Sequence, residues 1–137
     1  MKTSTEYPPN YADIIKVFPH LENHKPIFTY GETIYNPFKG EIRSDVEHHE
    51  SIHSKQQGDY PEVWWYQYLT DIEFRKEQEI EAYGEQLLFA KEAGAKGKLY
   101  DWLKEKTAEA LSGELYGLGI TYQEAESKLR NYGKYSR

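Results

Sequence analysis

The chain contains no cysteine, so neither disulfides nor thiolate ligands are open to it, and any metal site must draw on histidine, glutamate or aspartate. Long apolar runs are missing too, and no charged segment precedes an apolar one near the start. A signal peptide and a membrane span are therefore not expected, and the chain reads as cytoplasmic. There is no excess of positive charge: the formal net charge of −6 argues against a nucleic-acid-binding surface. The stretch 128–137 is locally basic but reads as a solvated end. No linker, internal repeat or low-complexity segment divides the 137 residues, which suffice for one core. The expectation is a single domain over 1–137, with 1–9 and 132–137 as flexible tails.

What the chain does have is the run His49-Glu50-Ser51-Ile52-His53. On a helix this sets two imidazoles one turn apart on one face, so that both can converge on a metal from one rigid element. Glu50 then stands beside the ion without ligating it, where a general base for a metal-activated water belongs. The flanks favour a helix. Ser44-x-x-Glu47 has the form of a capping box, Asp45 adds negative charge to the first turn, and Gly58 follows Lys55-Gln56-Gln57 as a stop. Val46, His49, His53, Gln56 and Gln57 share a face, whereas His48 points away and reads as solvated. Gln57, one turn past His53, either orients that ring or a bound carbonyl, or ends the helix in water. His20 and His24 lie in a polar stretch without ligand spacing and read as surface residues.

Two histidines do not complete a zinc site. The next long helix, expected from Asp71 to about Lys91, offers Glu77, Glu79 and Glu81. At about 100° per residue, Ile72, Ile80, Tyr83, Leu87 and Ala90 form an apolar stripe with Glu79 at its edge, while Glu81 points nearly the opposite way. A carboxylate on a buried stripe needs a cation or hydrogen bonds. Glu79 is therefore the candidate third ligand, with Arg75, one turn earlier, as the alternative partner for its charge. Glu77 and Glu81 read as a solvated pair.

His49-Glu50-x-x-His53 followed by Glu79-x-x-Ala82 resembles the pattern of the gluzincin metallopeptidases. In that class the third ligand is the Glu of an E-x-x-A-D or E-x-x-A-N motif. Here Tyr83 replaces the Asp or Asn that commonly orients a ligand histidine, so the resemblance requires another group in that role. The lead-in from Phe28 to Pro37, the trailing Gln56-Gln57, Trp64-Trp65 and Phe74-Arg75 are similar to short HExxH proteins of bacteriophages. That resemblance spans about residues 26 to 120, and it implies a minimal zincin-like domain with one Zn2+ per chain, in host cytoplasm or virion.

Elsewhere, Asn10 to Phe18 suggests a short helix stopped by Pro19, and Pro26 to Tyr35 alternates like a strand or hairpin with Gly31-Glu32 as its turn. Pro61 to Thr70, Leu99 to Leu111 and Thr121 to Asn131 read as further helices, the last opened by Thr121-x-x-Glu124. Strands early and helices late give an α+β domain, a small N-terminal antiparallel sheet followed by a helix-rich half. The adjacent Trp64 and Trp65 read as core and groove filling.

The function these residues point to is a zinc-dependent metallopeptidase with metal ligands His49, His53 and Glu79 and catalytic Glu50. Tyr116, in the loop between the last two helices, is the candidate hydroxyl for stabilising the oxyanion. Its substrate is expected to be a peptide or protein, taken up along the strand at Ile27 to Tyr35 by backbone pairing, although an ordinary outer strand explains that segment equally well. Two other classes compete. One is a non-enzymatic phage structural or assembly protein with zinc as a staple, which would not need Glu50. The other is a metal-free protein-binding module in which His49, His53 and Glu79 satisfy one another.

Overall fold

The computed structural model describes residues 1–133. Alternating apolar and polar residues form a hairpin of β2 (Phe28–Tyr30) and β3 (Thr33–Tyr35). Gly31, in its two-residue turn, has φ +62°, a conformation that glycine takes without steric cost. β1 (Lys2–Ser4) lies parallel to β3 on its other side, Lys2 opposite Thr33 and Ser4 opposite Tyr35, giving the order β1-β3-β2. The sheet is thus mixed rather than antiparallel, and residues 2–4 are held in it rather than lying in a loose tail. Parallel strands need the chain to return between them: α1 (Tyr11–Val17) and the 3-10 turn Leu21–His24 lead from β1 to β2, and β2, antiparallel to β3, makes the return.

Five helices follow, and the whole is an α+β fold. α2 (Ser44–Gln57) stops at Gly58, which has φ +57°. Its start differs from the expected capping box: Ser44 is already the first helical residue, Arg43 takes the cap position with extended backbone, and no side chain caps the end. α3 (Pro61–Thr70) has Pro in its first turn, where the missing N–H costs nothing. α4 (Ile72–Glu92) is capped by Asp71, which accepts from the amides of Glu73 and Phe74. α5 (Gly97–Ser112) precedes α6 (Tyr122–Asn131), where Thr121 accepts from the Glu124 amide at 3.1 Å as expected.

One apolar core joins α1, the sheet and α3 through Ile14, Leu21, Phe28, Trp64, Trp65 and Tyr68. A second joins α5, α6 and the loop between them through Ala108, Leu111, Leu118, Ile120 and Ala125. Between these, α2 packs along α4 with a different interior. The buried residues of α4 are Arg75, Glu79, Ala82, Gly84, Gln86, Leu87 and Ala90, whereas Ile72 is 50% exposed. Of the apolar stripe read from the sequence, Leu87 and Ala90 are buried and Ile80 and Tyr83 partly buried, only Ile72 departs from it, and Glu79 lies within the buried face rather than at its edge. Tyr132 also belongs to the packed molecule: a Cβ at Gly84 would come within 2.4 Å of its ring, so only a residue without a side chain fits there. Residues 134–137 of the expected tail lie outside the described residues, and Lys128 and Arg130 of the basic stretch ride on α6. Among the described residues no helix is long and apolar enough to cross a membrane.

Candidate metal centre

α2 turns His49, Glu50 and His53 into the interior, at 4%, 6% and 6% exposure. Each offers a ligand atom, all within 4.8 Å of one another, so this buried group could hold a metal ion. α4 brings a second carboxylate to the same space. The Nε2 atoms of His49 and His53 are 3.1 Å apart, and Glu79 Oε1 lies 3.3 Å from each. Glu50 is more distant, its Oε2 3.7 Å from His49 Nε2, while its Oε1 accepts the Thr29 hydroxyl at 2.9 Å.

The surrounding hydrogen bonds decide where the imidazole protons sit. Gln86 donates its amide to Asp45 Oδ2 at 2.8 Å, which turns its carbonyl oxygen to His49 Nδ1 at 2.9 Å. Gln56 donates to the Gln78 carbonyl and to Glu81, at 3.0 and 2.8 Å, and turns its oxygen to His53 Nδ1 at 2.8 Å. An acceptor at Nδ1 draws the proton there and leaves a lone pair on Nε2. Three acceptor atoms, two Nε2 and Glu79 Oε1, then converge, and Glu79 Oε1 is buried with no hydrogen-bond partner. Such a cluster is costly without positive charge inside it.

Within the protein that charge can only be a proton. Burial disfavours a charged His53, but the adjacent Glu79 carboxylate outweighs it and raises the ring to about 9. Burial pushes Glu79 up, yet the imidazoles, His53 foremost, hold it far below the ordinary carboxylate range. Asp45 also stays low despite burial, because Arg43 and Gln86 bond to it. The alternative pairing of Glu79 with Arg75 is not made. Arg75 instead donates to the carbonyl oxygens of Tyr68, Leu69 and Tyr116 at 2.8, 3.3 and 2.9 Å, clamping the end of α3 to the loop that carries Tyr116.

That clamp brings Tyr116 to the same cavity as His49, Glu50 and Glu79. Its hydroxyl lies 2.7 Å from that of Tyr83, whose ring packs edge-on against His49 at 4.3 Å. The Tyr68 hydroxyl donates to Glu79 Oε2. Burial, then the charge of Glu79, raises all three phenols, so they remain protonated donors.

Of the segment Ile27 to Tyr35, β3 is paired on both sides. Beside β2, the Thr29 carbonyl accepts from Gln57 and Trp65 at 2.8 and 3.0 Å, and the amide of Gly31 in the following turn donates to Gln57 at 2.7 Å. Gln57 thus holds the strand, and it is Gln56 that orients His53. His48 is half-buried and stacks on Phe89 rather than being fully solvated. Sequence reasoning did not find Thr29, Gln56, Tyr68 or Gln86 as partners of the cluster. A signal existed for Gln86, which falls seven residues after Glu79, two turns along the same helix face. Compared with family models, curated proteins and solved structures, the chain matches none.

Proposed function

We propose that the chain is a zinc-dependent metallopeptidase of gluzincin type, with one ion per chain held by His49, His53 and Glu79. The observation that carries this reading is the convergence of two imidazole Nε2 atoms and Glu79 Oε1, 3.1 to 3.3 Å apart, a cluster whose charge is otherwise met by a proton on His53 that a metal ion would displace. A tetrahedral zinc with bonds of roughly 2.0–2.1 Å separates its ligand atoms by about 3.3–3.4 Å, so the residues fit the ion. Gln86 and Gln56 take the orienting role that the Asp of the resembled motif has, and Tyr83 does not need to.

Zinc bound there would supply Lewis acidity, lowering the pKa of a water and polarising a substrate carbonyl. Glu50 accepts the proton of the attacking water and returns it to the leaving amine. The Thr29 hydroxyl holds one Glu50 oxygen and leaves the other on the side of the histidines. Tyr116, its hydroxyl paired with that of Tyr83, donates to the carbonyl oxygen as negative charge develops. A zinc staple in a phage assembly protein would need neither Glu50 nor the cavity beside it, which favours the enzyme. Purified protein should carry about one zinc per chain, and chelation should lower its melting temperature, because an ion that binds only the folded state stabilises by linkage. Metal-free protein whose melting is indifferent to zinc and chelator would end the proposal.

A further inference from the structure

The cavity containing the cluster, about 300 Å³, is walled unevenly. Among the described residues its only exposed lining residues are both cations, Arg43 before α2 and Lys106 on α5, and they mark its mouth. Away from the cluster the wall is buried and apolar, with Ile14, Leu21, Phe28 and Trp65. Among the described residues no cation lines this inner end, and Arg75 behind it is turned to backbone carbonyls.

The two mouth cations share one half-exposed indole: Arg43 Cζ is 5.4 Å and Lys106 Nζ 6.0 Å from the centre of the Trp102 ring. Gathering like charges on one ring, in a chain of net charge −6, suits an anion. Arg43 spends Nε and Nη2 on Asp45. The Lys106 pair with Glu109, 3.3 Å on one exposed helix face, is worth little and yields to a competing anion. The volume is at the small end for ligand sites, and two backbone groups an extended polypeptide would use, the Thr29 carbonyl and the Gly31 amide, are taken by Gln57 and Trp65.

From this we infer that the site takes small amides with an uncharged apolar end in the inner chamber and a carboxylate at the mouth, as in an N-acyl amino acid. This rests on the hydrolase reading and narrows it from proteins at large to acylated amino acids and chain ends. The reaction is hydrolysis alone: water adds across the C–N bond, the acyl carbon leaves as a carboxylate, and the nitrogen gains a proton and leaves as an amine.

Calorimetric titration of zinc-loaded Glu50→Gln protein reads binding apart from turnover. The probes are N-hexanoylglycine, N-hexylsuccinamate with the apolar group on nitrogen instead, neutral N-hexanoylglycinamide, and short N-acetylglycine. One of the first two should bind about tenfold or more tighter than the neutral and short amides, and which one does so tells which side of the scissile bond faces inward. Lys106→Glu should erase the advantage over the neutral amide while leaving zinc content and neutral-amide binding unchanged. Equal affinities across the four, or a preference that survives Lys106→Glu, would overturn the inference. A preference that persists in protein unable to bind zinc would uphold the ligand class while the hydrolase reading fell.

Discussion

Two helix pairs in this molecule are assembled on opposite principles. Between α5 and α6 the contact is apolar, with Ala108, Leu111 and Ala125 each at 0% exposure and Leu118 and Ile120 closing it from the loop. Between α2 and α4 the buried groups are chiefly polar: Asp45, His49, Glu50 and His53 face Glu79 and Gln86. Apolar burial stabilises wherever water is excluded and requires no particular partner. Polar burial stabilises only when each group meets its complement. Hence the first interface tolerates change by degrees, and the second depends on single atoms.

The sharpest test of that contrast is Glu79→Ala beside Glu81→Ala. The helix turns these chemically identical groups about 200° apart. Loss of Glu79 should lower zinc affinity by orders of magnitude in a competitive titration, because two imidazoles do not fix a tetrahedral ion. Glu81 is exposed and accepts from Gln56, which keeps its bond to the Gln78 carbonyl. Its loss should leave zinc bound and change stability by no more than about 0.5 kcal/mol. The reverse pattern would break the ligand assignment.

Next in size is Glu50→Gln. On any amide the parent cleaves, kcat should fall by about 10² to 10⁴, with zinc content and melting retained. Unchanged turnover would remove Glu50 from the chemistry. Gln86→Leu deletes the acceptor at His49 Nδ1 and should cost roughly 10–100-fold in zinc affinity; parental affinity would mean that this hydrogen bond does not set the tautomer. On the apolar side, Thr121→Ala removes the α6 cap and should cost about 1 kcal/mol in denaturant melting. Zinc affinity should not follow it, since distant sites act independently. A coupled loss of zinc would show that the two interfaces are one.

The two pairs also differ in how far the sequence reveals them. The helices are legible wherever a residue type forces an end: Pro61, Asp71, Thr121 and Gly58 act by local chemistry. Phase along α2 is legible too, because the His49 and His53 spacing is itself helical. What escapes is everything decided by tertiary partners. Ile72 follows the apolar period of α4 yet stands at its very start and is half-exposed. β1 is three residues without alternation, defined only by β3 beside it. Thr29 and Tyr68 are single polar residues whose importance comes from what the fold sets opposite them, and no spacing rule marks either; Gln56 and Gln86 share a helix face with a ligand residue, but only the fold shows which atom each one meets.

Gln57 carries a consequence of another kind. Its side-chain amide meets β2 as a neighbouring strand would, accepting from one backbone amide and donating to one carbonyl. Sheet edges with unpaired backbone groups recruit strands from other molecules. Here α2 covers one edge through that amide, and the other is the three-residue β1 with Lys2 at its start. A residue that braces the floor of the site also keeps crowded copies of the chain from templating one another into aggregates.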